Sequence, residues 1–356
     1  MRVALIGMPQ SGKSTVFAAA AEAGGSHVDL DRPDIPHLAV VKVPDERLAW
    51  LAEKYQAKKV TPAELEFLDL PGFDFSDPAG RARAGTHVPE MRQSDMLVLV
   101  IRAFAETGVP EYRGRVDPAA DVRELLTELL LADLEQVSNR VEKLQAAVRK
   151  PTAQKDEQLR ELELMKRLAE TLETEKPIAE AIHTDAEEKR VRSFGFLSQK
   201  PVLVVLNCSE DALGEPAPET LNALPVLRCS AKIEEEMARL APEDRTEFLR
   251  DLGLEAPARD RLIRACYERL NLVSFLTTVS NECRAWCVPA GTDAVTAAGT
   301  IHTDMARGFI RAETVAFEDL RAAGDMKSAR AAGKVRLEGK TYVVQDGDVI
   351  QFRFNV

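Results

Sequence analysis

Two hydrophobic patterns run along the chain. Arg2 to Ile6, Leu38 to Val43, Glu64 to Leu70 and Met96 to Ala103 are short apolar runs, the last nearly unbroken. Runs of this kind fit strands covered on both faces, as in a parallel sheet flanked by helices. Val16 to Ala21 and Asp45 to Tyr55 read as helices, the second with an apolar side at Leu48 and Leu51. Phe73 to Asp95, with Gly80 and Gly85, reads as a mobile loop. Pro201 to Leu206 and Pro225 to Cys229 return to the strand pattern.

Between these strand groups the period changes. From Asp121 to about Arg149, apolar residues fall at positions 122, 126, 130, 134, 137, 141, 144 and 148. Spacings of three and four predict an amphipathic, coiled-coil-like helix. Lys150-Pro151-Thr152 breaks it. Leu159, Leu162, Met165, Leu168 and Leu172 then carry a second helix, from Gln158 to about Glu175. Together they predict an antiparallel helical hairpin inserted between strands, either a plain extension or a partner-binding arm. Toward the C-terminus, Glu282 to Val288, Phe309 to Val315, Tyr342 to Val344 and Val349 to Phe354 read as short strands.

Composition sharpens this in three places. At 356 residues and 45% apolar content there is room for two or three domains with proper cores. The net charge of −11 argues against an all-over basic nucleic-acid binder but permits a local patch. Arg321, Lys327, Arg330, Lys334, Arg336 and Lys340 outnumber Asp325 and Glu338 in one window. That window is the candidate RNA contact, with an ordinary solvated surface as the alternative. The five cysteines form no Cys-x-x-Cys pair and read as buried free thiols. No apolar run approaches the ~20 residues of a membrane span, and the N-terminus reads as a core strand rather than a signal peptide. A cytoplasmic monomer is expected. His302 and Asp304 have no nucleophile pattern beside them and read as structural.

The chemistry begins at Gly7, in GMPQSGKST. Gly7-x-x-x-x-Gly12-Lys13-Ser14 between a strand and a helix is the phosphate-binding loop pattern. The glycines let the backbone of the Pro9-Gln10-Ser11-Gly12 loop close around phosphate oxygens, and the N–H groups of Gln10, Ser11, Gly12 and the helix start through Thr15 offer partial positive charge. Lys13 is placed for the β- and γ-phosphates and the Ser14 hydroxyl for Mg²⁺. Asp69-Leu70-Pro71-Gly72 ends a strand about 55 residues later. Asp69 is a candidate Mg²⁺ carboxylate, and the Gly72 N–H a candidate γ-phosphate contact. The next residue is Phe73, where some GTPases place a water-orienting Gln. Between Ser26 and Thr61 there is no Thr to complete a Mg²⁺ shell.

Base recognition is expected after the strand PVLVVL, at Asn207-Cys208-Ser209-Glu210. The usual guanine pattern is Asn-Lys-x-Asp. Here Cys208 replaces the Lys that packs on the base, and Glu210 is one methylene longer than the guanine-clamping Asp. Asn207 can pair with the N7/N6 edge of adenine, so ATP is expected over GTP. Ser230-Ala231-Lys232 is the loop expected to close over the base.

These motifs resemble the YchF-type Obg-like ATPases, a branch of the translation-factor-related GTPases. The resemblance runs nearly end to end. It rests on GMPQSGKST, VKVPDERL, EFLDLPG, RVDPAADV, KPVLVVLNCSE and CSAKIEEE, and is densest from Asn281 to Glu313 and from Ala332 to Val356. It implies a Ras-like α/β domain (1–118 and 198–271), the helical insertion (119–197) and a ubiquitin-like β-grasp TGS domain (272–356). It also implies ATP preference through an Asn-x-x-Glu motif, matched by Asn207 and Glu210, and ribosome association in translation or stress responses. Several positions depart from the family. Its glycine-rich stretch after Asp-x-x-Gly is replaced by Phe73 to Val88. Asp31-Arg32-Pro33-Asp34 stands in its Thr-containing switch loop. Glu111 stands where it places a His that aids hydrolysis, and Gln10-Ser11 replaces Asn-Val. Two functions remain: a slow Mg²⁺-dependent ATPase switch, or a nucleotide-holding, ribosome-associated module that no longer cycles.

Overall fold

The computed structural model describes residues 1–23, 32–106, 108–149, 154–214, 218–254, 256–279 and 281–355. In chain order it begins with β1 (Arg2–Ile6), α1 (Lys13–Ala23), β2 (His37–Lys42), α2 (Glu46–Lys54), β3 (Lys59–Thr61) and β4 (Glu64–Asp69). Then come α3 (Pro78–Gly85), α4 (Val88–Gln93), β5 (Met96–Ala103), α5 (Pro118–Ala147), α6 (Lys155–Glu173) and α7 (Asp185–Val191). Next are β6 (Val202–Cys208), β7 (Thr220–Leu221), β8 (Leu224–Cys229), α8 (Ala231–Arg239), α9 (Pro242–Asp251) and α10 (Ala258–Arg269). The C-terminal part holds β9 (Leu272–Val279), β10 (Glu282–Pro289), α11 (Ala294–Ile301), α12 (Thr303–Arg307) and β11 (Phe309–Ala316). It ends with α13 (Phe317–Ala323), α14 (Met326–Ala331), β12 (Arg336–Glu338) and β13 (Asp348–Phe354). Gly24-Gly25, Asp29, Asp31 and the break at Lys150-Pro151-Thr152 lie outside the described residues.

The chain is α/β, and by contact it divides into two units: 1–39 with 66–261, and 40–65 with 262–356. In the first, the sheet order is β2-β4-β1-β5-β6-β8-β7. β1 is parallel to both β4 and β5, and β6 is parallel to β5 and β8. The near-complete burial of Met96 to Ile101 follows from this central place, covered on both faces. The C-terminal ends of β1, β4, β5 and β6 meet on one edge, where ligands bind in open parallel sheets.

α5 starts where the sequence signals a start. Asp117 caps it by accepting from the Ala120 N–H at 3.0 Å, and Pro118 takes the first turn, where no N–H is needed. Val137 and Leu144 of α5 pack with Leu162, Met165, Leu168 and Leu172 of α6, as the spacing predicts. Arg140 bridges the pair with two bonds to Glu161, at 2.7 and 2.9 Å. The root of the hairpin is not a detachable insertion, however. Val122, Leu125 and Leu129 belong to the core cluster that covers one face of the sheet, with Ile6, Leu97 and Leu99. A boundary at 119 therefore cuts through the sheet's own core.

In the second unit the order β12-β11-β13-β9-β10 has β9 and β13 parallel at its centre. That is the β-grasp order, and the cluster around Phe275, Val288, Ile350 and Phe352 packs on Ala294, Ala297 and Ala298 of α11. β3 adds parallel to the free edge of β10. The Lys58 N–H also bonds the Asn281 carbonyl, at 2.8 Å. These contacts place residues 40–65 with the C-terminal unit, where the pattern of strands alone puts them with the phosphate-loop domain. Two local expectations also change. Phe73 to Asp95 contains α3 and α4, because Asp77 caps a helix with Pro78 at its start and Phe75 and Met91 are buried. Tyr342 to Val344 is no strand but one isolated bridge, Asp293 to Val343.

Candidate functional site

β1 leads directly into the loop and α1 follows it. Gln10 at φ 60 and Gly12 at φ 83 turn the backbone through the left-handed region. Gly12 has a second constraint, since a Cβ there would collide with the Asn207 side-chain nitrogen. A Cβ on Gly7 would meet the Val100 carbonyl, and one on Gly72 would stand 3.2 Å from the Pro9 Cα. The loop is thus a close-packed cradle with no spare volume at its glycines. The Gly7 carbonyl accepts the Phe73 N–H at 2.9 Å, joining the loop to the end of Asp-Leu-Pro-Gly.

Lys13, Ser14 and Asp69 converge. The Lys13 ammonium donates to one oxygen of Asp69, and the Ser14 hydroxyl donates to the other at 2.8 Å. Lys13 and Asp69 are both buried. Burial lowers the Lys13 pKa from its ordinary value, against the pull of Asp69. One carboxylate, one hydroxyl and the phosphates of a ligand form a donor set of hard oxygens. It suits Mg²⁺, which keeps several waters and needs few protein ligands. The lone pairs of Asp69 now held by Lys13 and Ser14 are the ones such an ion would take.

Asn207 is the penultimate residue of β6, and both of its amide atoms are engaged. Its amide nitrogen donates to the Ser11 carbonyl at 2.9 Å, and its amide oxygen accepts the Ala231 N–H at 2.9 Å. It therefore ties the phosphate loop to the loop at Ser230-Ala231-Lys232, rather than standing free at a base. Cys208 is buried, with its thiol donating to the Cys229 carbonyl at 3.3 Å. Cys208, Ser209, Glu210, Ala231 and Lys232 nevertheless line one cavity of about 540 Å³, with Gly12 and Thr15 at its inner end. That volume suits a nucleoside.

Phe104, Ala105 and Glu106 form another wall of this cavity, which sequence reading missed. Phe104 follows β5 at the same strand edge as the phosphate loop, and that position was the available signal. Arg102 fixes the segment. Its guanidinium lies 4.6 Å from the centre of the Phe104 ring and donates to the carbonyls of Phe104, Val109 and Pro110, at 3.1, 3.1 and 2.9 Å.

The hydrolysis positions look different. Phe73 is 2% exposed, inside the sheet's core cluster. Glu111 is exposed at the surface. In the C-terminal unit half of the basic window is paired. Arg330 meets Glu313 at 2.9 Å, Lys334 meets Asp319 at 3.0 Å, and Arg336 meets Asp348 at 3.5 Å. Those acids lie outside the window or at its rim, so a count of charge within the window does not include them. All six basic residues, Arg321, Lys327 and Lys340 included, are exposed. Among the described residues, no cluster of three His, Cys, Asp or Glu side chains forms a metal site, and no helix is long and apolar enough to cross a membrane.

Residues 272–355 match the family model YchF-GTPase_C, described as a protein of unknown function (DUF933). Over 365 residues the chain is 40% identical to the ribosome-binding ATPase YchF of Bacillus subtilis, covering 99% of this chain and 98% of that one. It is 32% identical to Obg-like ATPase 1 of Oryza sativa subsp. japonica, over 100% of this chain and 92% of that protein. The Schizosaccharomyces pombe YchF GTPase structure superposes with a TM-score of 0.85 at 28% identity, covering 99% and 97%. A GTP-binding protein from Pyrococcus horikoshii OT3 shares the fold, with a TM-score of 0.61 at 17% identity and full coverage of both chains. With matches of that identity running end to end, the chain belongs to the YchF family.

Proposed function

We propose that this chain binds a nucleoside triphosphate with Mg²⁺, ATP in preference to GTP, and acts as a ribosome-associated switch. The observation that carries the reading is the convergence of Lys13, Ser14 and Asp69 beside a loop that Asn207 ties to Ala231. In this reading Pro9 to Thr15 holds the phosphates, and Ser14 and Asp69 hold the ion, which neutralises phosphate charge. Gly72 contacts the γ-phosphate. Phe104 offers its ring to the base. Glu210 and the Ser230-Ala231-Lys232 loop set base choice, Glu210 being too long for the guanine clamp. The names of the relatives support ribosome association, which would use the hairpin and the exposed basic window, Arg321, Lys327, Arg330, Lys334, Arg336 and Lys340. Three domains, a cytoplasmic place and a monomeric state belong to the same reading.

A second reading, a nucleotide-holding module that does not turn over, is favoured by Phe73 in the core and Glu111 on the surface. Single-turnover ATP hydrolysis with and without ribosomes separates the two. A slow rate accelerated by ribosomes supports the switch. Bound ATP recovered intact under both conditions supports the module, and no ATP bound at all contradicts both.

A further inference from the structure

The backbone of Phe75 is held at both of its polar atoms. Its N–H donates to the Tyr112 hydroxyl at 3.1 Å, and its carbonyl accepts from the Arg113 guanidinium at 3.0 Å. Arg113 also pairs with Glu124 of α5 at 2.7 Å. Arg113 has a φ of 54°, a left-handed conformation that a non-glycine residue keeps only when its surroundings fix it. Here one guanidinium nitrogen, Nη2, reaches both the Phe75 carbonyl and the Glu124 carboxylate.

Two further links run parallel to this one. Arg81 of α3 pairs with Glu128 at 2.6 Å, and Arg92 of α4 with Asp133 at 2.7 Å. Asp133 has no exposure and also accepts the Leu197 and Ser198 N–H groups, at 3.0 and 2.8 Å. Glu124, Glu128 and Asp133 stand four and five residues apart along α5, so all three links end on one helix within about two and a half turns. Beneath them Phe73, Phe75, Ala84 and Met91 share a core with Val122, Leu125 and Leu129. At its other end the segment is tied to the phosphate loop, through the bond from the Phe73 N–H to the Gly7 carbonyl. Contacts therefore run without a break from Gly7 through Phe73 and Phe75 to Arg113 and Glu124.

We propose that Tyr112 and Arg113 clamp the segment after Gly72 to the root of α5, so that occupancy of the phosphate loop sets the pose of the helical hairpin. Close-packed elements joined by several fixed links move together rather than deform. The clamp rests on the nucleotide reading above and assigns that site its output, the hairpin. It also gives Arg113 a task that the hydrolysis residues of the family do not cover.

Hydrogen–deuterium exchange of the full chain, with and without Mg²⁺-ATP, tests it. In wild type, ATP slows exchange in three places together: the phosphate loop, residues 72–93 and residues 121–133. In the Tyr112→Phe/Arg113→Ala double variant, and separately in Glu124→Gln, ATP still slows the phosphate loop as in wild type, while the response in 121–133 is lost. Arg113→Lys keeps the charge without the fork and recovers part of it. Unchanged exchange in β5, at the centre of the same unit's sheet, checks that each variant is folded, and Glu124→Gln carries the test where the double variant is not. An α5 response of wild-type size in a folded variant overturns the clamp. So does a wild type whose phosphate loop responds to ATP while α5 does not. A wild-type phosphate loop that does not respond overturns the nucleotide reading, and the clamp with it.

Discussion

The phosphate end and the hydrolysis end of the candidate site are a few residues apart and built on different terms. At the phosphate end, polar groups are buried and paired: Lys13 and Ser14 on Asp69, Asn207 between Ser11 and Ala231. At the hydrolysis end, Phe73 is core and Glu111 is surface. Burying a polar group without a partner is costly, so the first set is held by mutual need. No such constraint holds Phe73 or Glu111 to a chemical task. In the proposed function, binding and turnover therefore rest on different residues, which substitutions can address one at a time.

Four substitutions probe that separation, from the largest effect down. Phe73→Gln should destabilise the chain by about 3 kcal/mol, because it removes a buried ring and buries an amide in its place. Denaturant unfolding measures this; a loss under ~1 kcal/mol, or a gain in turnover, would place Phe73 at the site rather than in the core. Lys13→Ala should weaken Mg²⁺-ATP binding by about 2–3 kcal/mol, the scale of a charged hydrogen bond. It should also lower the melting temperature, since Asp69 stays buried with Ser14 as its one remaining side-chain partner.

Glu111→His puts a titratable donor where the resembling family has one. Since Glu111 is exposed, stability should move by less than ~0.5 kcal/mol. Single-turnover hydrolysis should rise by a factor on the order of 10, equivalent to about 1.4 kcal/mol. An unchanged rate would mean that the segment around residue 111 does not reach the phosphate. Glu210→Asp shortens the carboxylate on the cavity wall and should shift the ATP-to-GTP preference toward GTP by about 1 kcal/mol. Competition against a fluorescent nucleotide reads that ratio.

What was legible in the sequence tracks how local each feature is. The phosphate loop is nine consecutive residues whose types state their geometry, and the hairpin is a period sustained over many turns. The strand, loop and helix around the first and the two packed helices of the second are seen where expected. The Phe104 wall was not legible, because Arg102 creates it by holding carbonyls up to eight residues away. Neither was the pairing of Arg330, Lys334 and Arg336, whose acids come from β11, α13 and β13. Residues 40–65 join the C-terminal unit through β3 and β10, a pairing between segments more than two hundred residues apart. The role of Asn207 as a tie between two loops, rather than a free edge for a base, needed the fold as well.

The most direct test of the central claim is a calorimetric titration of Mg²⁺-ATP and Mg²⁺-GTP into wild type and Lys13→Ala. The account expects one site per chain in wild type, tighter for ATP than for GTP, and both weakened by about 2–3 kcal/mol in the variant. Equal affinity of wild type and Lys13→Ala for ATP, or no heat of binding in wild type, would contradict it.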